Sequence, residues 1–218
     1  MTSIAILGGT VQQGRGLAQR FAAAGARVIV GSRDPKRALE SVATWDARDG
    51  SIVATDNAAA VAQGDITVLA VPFASVDALL TELQPHFKDG SLVIDVTVPV
   101  AFEGRSMSML DIAEGSATEH IRARLPAGVQ LAAAFKTVPA HLLAAAGTPL
   151  DCDEFVCGDS DEARAQAAAL VRLLPGLRPV DVGPLSRARF IEHMTALAIA
   201  INRRHKIHDA RFTVVGLP

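Results

Sequence analysis

Residues 4–14, Ile4-Ala5-Ile6-Leu7-Gly8-Gly9-Thr10-Val11-Gln12-Gln13-Gly14, decide the fold. Four consecutive apolar residues read as a short, fully buried strand, and the glycine-rich turn after them opens a helix. A second strand, Val28-Ile29-Val30, ends at Gly31-Ser32-Arg33. Strand, glycine turn, helix and strand in this order make a dinucleotide-binding βαβ unit, in which a pyrophosphate rests on backbone N–H groups at a helix N-terminus. Gly9, Thr10, Val11, Gln12, Gln13 and Gly14 are the expected cradle. Where the second strand closes, an Asp or Glu would bond the ribose 2′-hydroxyl of NAD, but this chain has Ser32 and Arg33, with Lys36 and Arg37 one helical turn on. A carboxylate there would repel a 2′-phosphate, whereas an arginine fork matches its oxygens, so the expected cofactor is NADP(H). Val11 stands where the fingerprint has its middle glycine, and its isopropyl group is expected to weaken the pyrophosphate contact without abolishing it. A Rossmann-like fold that has lost its cofactor draws on the same residue.

Composition bounds the rest. The chain has 218 residues, half of them apolar, which is ample for a core and fits one large or two small domains. A net charge of −2, one tryptophan and no tyrosine leave neither a basic stripe nor a stacking platform, so no nucleic-acid partner is expected. Charges, Gly and Pro break every apolar run before membrane-spanning length, and the N-terminus has no basic region followed by an apolar stretch. No membrane partner and a cytoplasmic location follow as expectations. Cys152 and Cys157 have no histidine pair beside them, which disfavours zinc and leaves them as small buried hydrophobes, with a bridge between them open.

Beyond the first unit, strands are expected over 51–54, 66–71, 92–95 and 129–134, and helices over 35–48, 58–63, 74–83 and 118–124. Alternation of this kind predicts a Rossmann-like, doubly wound parallel sheet of the α/β class, because each parallel crossover needs a helix. Residues 101–117 turn to Gly, Ser and Met and read as an irregular surface excursion. Toward the C-terminus, helices over 139–146, 162–174 and 186–203 enclose strands over 154–157 and 178–182. The last helix carries Phe190, Met194, Leu197, Ala198 and Ile201 on an apolar face, as a helix does when it packs on a neighbouring domain or a second subunit. The expected division is a dinucleotide-binding domain over 1–135 and a smaller C-terminal α/β domain over 136–218 that closes a cleft above the strand ends.

Strand ends build the site in such folds. Val71-Pro72-Phe73 and Val98-Pro99 leave two of them, with proline either turning the chain across the cofactor or merely shaping a loop, and Phe73 placed to pack on a nicotinamide ring. Lys136, at the domain junction, reads either as a substrate or phosphate contact or as a solvated lysine. His141 and His193 are lone helical histidines, which are more often structural than catalytic. Asp159-Ser160-Asp161-Glu162 precedes an amphipathic helix, so capping explains it better than metal binding. No acid–base pair or nucleophile motif stands out, so no catalytic side chain and no metal ligand is named. That absence suits hydride transfer, in which the cofactor carries the chemistry and the protein positions it.

Leu7-Gly8-Gly9-Thr10, Gly14-Arg15-Gly16-Leu17-Ala18 and Val30-Gly31-Ser32-Arg33 resemble the NADP-dependent coenzyme F420 oxidoreductases. The likeness continues through Val156-Cys157-Gly158-Asp159, Gly176-Leu177-Arg178-Pro179 and Asp181-Val182-Gly183-Pro184-Leu185-Ser186, motifs that generic Rossmann proteins have no reason to share. The resemblance implies a homodimer exchanging hydride between NADP(H) and the deazaflavin coenzyme F420. It also implies that Thr10, Ser32, Arg33 and Arg37 bind the adenosine and phosphate end, while Pro72, Phe73 and Val98 lie near the rings. Val11, Phe73 and Lys136 depart from the family's usual residues, and the Arg- and His-rich tail over 203–218 looks longer and more basic than the family's end. The residues themselves leave two other readings open: reduction of a ketone, imine or flavin, and a non-catalytic dinucleotide-binding protein.

Overall fold

The computed structural model describes residues 2–45, 51–104, 106–145 and 147–217. Its first strand, β1 (Ser3–Leu7), sits inside the sheet because it is apolar on both faces: Ile4, Ala5, Ile6 and Leu7 are all fully buried. Ile4 and Ile6 join one core with Leu17 and Phe21, while Ala5 and Leu7 join another with Leu69 and Leu80. Successive strand residues point to opposite faces, so a strand without polar alternation needs helices on both sides.

The chain supplies them in turn. α1 (Gln12–Ala23) and β2 (Arg27–Ser32) complete the opening unit. α2 (Pro35–Val42), β3 (Ile52–Asp56), α3 (Asn57–Gln63), β4 (Ile66–Leu69), α4 (Val76–Leu83) and β5 (Leu92–Asp95) follow. The helix expected over 35–48 ends at Val42, where the Thr44 hydroxyl donates to the Ser41 carbonyl at 2.7 Å; positions 46–48 of that expectation lie outside the described residues. The excursion expected over 101–117 contains an antiparallel hairpin instead, β6 (Val100–Glu103) with β7 (Ser106–Met109). Its Ser-Met alternation has the two-residue period of a strand, which the glycine and serine content obscured.

α5 (Ala117–Arg122), β8 (Gln130–Ala133), α6 (Ala140–Ala144), β9 (Cys152–Gly158), α7 (Asp161–Arg172), β10 (Leu177–Pro184) and α8 (Ala188–His205) complete the chain. Position 146 of the predicted helix over 139–146 is outside the described residues. Strand order in the main sheet is β10-β9-β8-β5-β4-β1-β2-β3, parallel except between β8 and β9. β9 and β10 therefore extend the opening sheet, and among the described residues the C-terminal part builds no separate sheet of its own. Beyond α8 the tail folds back: Asp153 donates its N–H to the Phe212 carbonyl at 2.9 Å and accepts the Val214 N–H at 2.6 Å. No helix among the described residues is long and apolar enough to cross a membrane.

Two features of this layout matter for a site. The chain leaves β1 toward β2 on one side and pairs with β4 on the other, so the order reverses between β1 and β4, where a doubly wound sheet opens a crevice. In addition, buried Arg20 on α1 donates to the carbonyls of Leu143 at 2.9 Å, Leu142 and Ala145 at 2.8 Å, and Thr148 at 3.0 Å. The last carbonyls of a helix have no intrahelical partner, so one guanidinium both satisfies the end of α6 and ties it to α1. Arg20→Leu should remove these four donations, leaving Leu142 and Ala145 only their backbone donors, and lower the free energy of unfolding by about 2–4 kcal/mol, read from urea denaturation.

Candidate active site

The turn after β1 is built by contacts that exclude side chains. Gly8 has φ 81°, and a Cβ there would lie 2.5 Å from the Ala70 carbonyl oxygen; one on Gly14 would lie 2.4 Å from the Gly8 oxygen. These close approaches press the start of α1 onto the turn and the turn onto the end of β4. Val11 is the N-cap of α1, with φ −82° and ψ 161°, an extended geometry that a β-branched residue adopts without strain. No side chain caps this helix, so its first N–H groups face the crevice unclaimed.

Two clefts open there. The smaller, about 380 Å³, is lined by Thr10, Ser32, Arg33 and Asn57, with Glu82 on its wall. The larger, about 950 Å³, takes in Gln12, Gln13, Phe73, Val98, the 136–141 segment and the inner side of α8. Val11, Val71 and Pro72 line both, so the two form one groove across the strand ends. The predicted site residues thus converge, with four qualifications. Lys36 and Arg37 are exposed on the first turn of α2 and line neither cleft. Gly9 and Gly14 shape the turn from beneath; a Cβ on Gly9 would lie 2.8 Å from Val30 Cγ1. Gln13 spends its amide on the Phe135 carbonyl at 2.7 Å.

Lys136 is the fourth and differs most from expectation. It is neither solvated nor available to a phosphate: its ammonium is wholly buried, 2.7 Å from Asp95 Oδ2 and 3.2 Å from Glu192 Oε1, and it also donates to the Thr97 carbonyl. Phe135 brings this about, since its φ of 59° turns the chain sharply as it leaves β8. Burial alone would push the Lys136 ammonium down, but the two carboxylates outweigh it and hold it above the ordinary lysine range. Burial pushes Glu192 up, against the pull of Lys136. Thr118 donates to Asp95 at 2.7 Å, the Ala117 and Thr118 N–H groups reach Glu192 at 3.2 and 3.3 Å, and Thr195 donates to the Lys136 carbonyl at 2.9 Å. The network joins the end of β5, the start of α5 and the middle of α8.

Sequence reasoning missed most of this network, because Asp95, Thr118 and Glu192 carry no motif. It also missed His120, which has Asp77 at 2.7 Å on one ring nitrogen, Glu114 at 3.0 Å on the other, and Phe73 5.2 Å away between ring centroids. Glu114 is held down to about 2 by its hydrogen bonds from His120 and Arg124. His141 lines the large cleft with His208, 6.3 Å between ring centroids, whereas exposed His193 bonds its own helix at Arg189 O. Ser160 caps α7 by accepting from the Ala163 N–H at 3.0 Å, and Asp159 accepts from the Leu131 N–H at 3.0 Å, which accounts for the acidic stretch. Cys152 and Cys157 are free, buried thiols, pushed up to about 12 by burial.

Comparison with known proteins agrees with this geometry. Residues 3–99 match the family model described as NADP oxidoreductase, coenzyme F420-dependent. The F420-dependent NADP reductase of Methanothermobacter thermautotrophicus is 37% identical over 99% of this chain and 95% of its own. That of Methanocaldococcus jannaschii is 31% identical over 98% of each. Among solved structures, a putative F420-dependent NADP reductase from Arthrobacter sp. FB24 superposes with a TM-score of 0.86 at 25% identity, covering 99% of this chain and 100% of that one. A 3-hydroxyisobutyrate dehydrogenase of Mycobacterium tuberculosis, with a TM-score of 0.68 at 15% identity over 94% of this chain and 62% of its own, shares the fold alone.

Glu154 provides a stability test of the cleft wall. It is fully buried, accepts from the Lys136 N–H at 3.0 Å and from the Thr137 hydroxyl at 2.8 Å, and is pushed by burial from 4.5 up to about 7. The folded state therefore holds this proton more tightly than the unfolded chain. From Glu154 alone, stability is greatest below about pH 4.5, falls as pH rises to about 7 and is level above. The swing is on the order of 3 kcal/mol. Urea unfolding at pH 5 and pH 8 should show a loss that is smaller by this amount in Glu154→Gln than in the wild type, the remainder including buried Glu192.

Proposed function

The chain belongs to the coenzyme F420-dependent NADP oxidoreductases, and from that premise we propose that the groove across its strand ends binds NADP(H) in the smaller cleft and coenzyme F420 in the larger. The observation that carries this reading is the meeting of the two clefts at Val11, Val71 and Pro72, which brings two ligands end to end over the switch point. The residues present fit the groups. An uncapped helix N-terminus behind a glycine turn suits a pyrophosphate. Ser32 and Arg33 suit a 2′-phosphate, and the carboxylate of the adjoining Asp34 is engaged in capping α2, where it accepts from the Arg37 N–H at 3.1 Å. The Thr97 hydroxyl is buried beside the large cleft without a protein partner, a group that a polar ring edge would satisfy.

When bound, the nicotinamide and the deazaflavin supply the hydride chemistry themselves. The protein holds and shields them. Val11, Val71, Val96, Val98 and Val138 present apolar surface where the rings meet, which excludes water and leaves direct transfer as the open path. The network of Lys136, Asp95 and Glu192 keeps that wall in place, and no described side chain is needed as a proton donor. Residues 136–218 share the sheet and serve in this reading as the part that covers the second substrate. We propose a cytoplasmic setting, which free Cys152 and Cys157 suit.

NADPH should bleach the absorbance of oxidised F420 in the presence of this protein, with FMN and simple ketones far slower. Arg33→Ala should weaken NADPH by roughly 10- to 150-fold, the loss of one charge-assisted contact, and leave NADH nearly unchanged. Calorimetric titration of both cofactors checks this, and equal affinity of the wild type for the two would sink the assignment. For assembly we propose a homodimer through the outer face of α8, where Phe190 and Leu197 are 57% and 53% exposed. Phe190→Glu should then halve the mass measured by light scattering.

A further inference from the structure

Phe73 lines the large cleft from a single helical turn, Phe73–Ser75, that leads into α4. Among the described residues no side chain caps either the turn or α4. The body of α4 is secured by Val76, Leu79, Leu80 and Leu83, all buried in the core. Phe73 is only partly buried against that core, so the packing that fixes α4 leaves the ring at its leading edge less firmly set.

His120 meets that ring, 5.2 Å away between centroids and tilted by 59°, a separation at which aromatic rings pack. Four side chains close a circuit around the imidazole. Asp77 Oδ1 takes His120 Nε2 and Arg124 Nε, each at 2.7 Å, while Glu114 takes His120 Nδ1 at 3.0 Å on one oxygen and Arg124 at 3.1 Å on the other. A carboxylate only accepts, so the circuit is complete only when both imidazole nitrogens carry protons and His120 is an imidazolium. Asp77 follows Phe73 by one helical turn, whereas His120, Glu114 and Arg124 belong to α5 and its flanks. The far end of α5 is anchored to α8, because Glu192 accepts the Ala117 and Thr118 N–H groups. The circuit thus ties the Phe73 segment to a fixed base. The Asp77 side chain is 63% exposed, and ion pairs that solvent reaches contribute little to stability. Such a circuit is a poor brace for the fold, yet it is well placed to set one side chain.

Resting on the acceptor reading above, we infer that His120 is a positioning residue for hydride transfer: through Asp77, and through the face it offers the Phe73 ring, it sets where that ring stands in the large cleft. His120 gives no proton to the reaction and acts only through Phe73. Direct transfer depends steeply on alignment, and a misplacement of about 1 Å can cost about 100-fold in rate. A small tilt of Phe73 leaves the extent of contact with a bound ring nearly the same, so the rate moves while affinity does not.

Single-turnover stopped-flow mixing of the NADPH-loaded protein with oxidised F420 tests this, because it reads the transfer rate and the half-saturating F420 concentration separately. His120→Gln keeps a donor and loses the charge, so it should lower the transfer rate about 10-fold with half-saturation and melting temperature nearly unchanged. In a Phe73→Ala background, itself slow, the same substitution should have no further effect, since non-additivity is the mark of residues that act as one unit. Glu114→Gln leaves both aromatic rings in place and should show the same split at about 3-fold, which decides the matter where His120→Gln does not fold. A wild-type rate in His120→Gln, or in Glu114→Gln where the first does not fold, would overturn the proposal and leave the acceptor reading intact. So would an equal fold-loss with and without Phe73, or a fall in affinity that matches the fall in rate. Absence of bleaching by the wild type would overturn the acceptor reading and the proposal together.

Discussion

The ammonium of Lys136 can stay charged inside the protein only while Asp95, Glu192 and the Thr97 carbonyl stay beside it, and that requirement fixes the cleft wall. A buried charge that loses one partner is strongly destabilising, far more so than the net gain of the intact pair. Each partner comes from a different element: Asp95 closes β5, Glu192 lies on α8, and Lys136 follows β8. The helix that covers the groove is thereby tied to the strand ends that floor it. Thr118 and Thr195 add neutral hydrogen bonds to the same junction, so the satisfied network is larger than the ion pairs.

Charge in the rest of the groove is arranged by subtraction. Carboxylates near it are already engaged: Asp34 on the start of α2, Asp56 on the start of α3, Asp95 and Glu192 on Lys136. What remains lining the groove is apolar surface in the middle and Arg33 toward the smaller cleft, with Glu82 as an acid there.

Val11 illustrates how a motif residue acquires its meaning from geometry. As a departure from a glycine pattern it reads as a defect. In the fold it occupies an extended N-cap conformation with no demand for glycine, and it forms part of the seam between the two clefts. The close approaches that do demand glycine are at Gly8 and Gly14, where backbone meets backbone.

Sequence alone determined the Rossmann-like sheet, the cofactor type and part of the lining of the first cleft, Thr10, Ser32 and Arg33 but not Asn57 or Glu82. Those depend on short-range patterns: uninterrupted apolar strands, a glycine turn, and a cationic strand end in place of an acid. Nearly every helix and strand was legible for the same reason, since periodicity is local. The hairpin over 100–109 was not, because each arm is only four residues long and the second, Ser106–Met109, lacks β-branched and aromatic residues. Nor was the joining of β9 and β10 to the opening sheet, which rests on pairing between distant segments. Lys136, Asp95 and Glu192 are 41 and 56 residues apart along the chain, and only the tertiary fold brings them within hydrogen-bonding distance. Whether a lysine is a solvated cation, a phosphate ligand or the buried centre of a network depends on what surrounds its ammonium, and those neighbours are chosen by the packing of the whole chain.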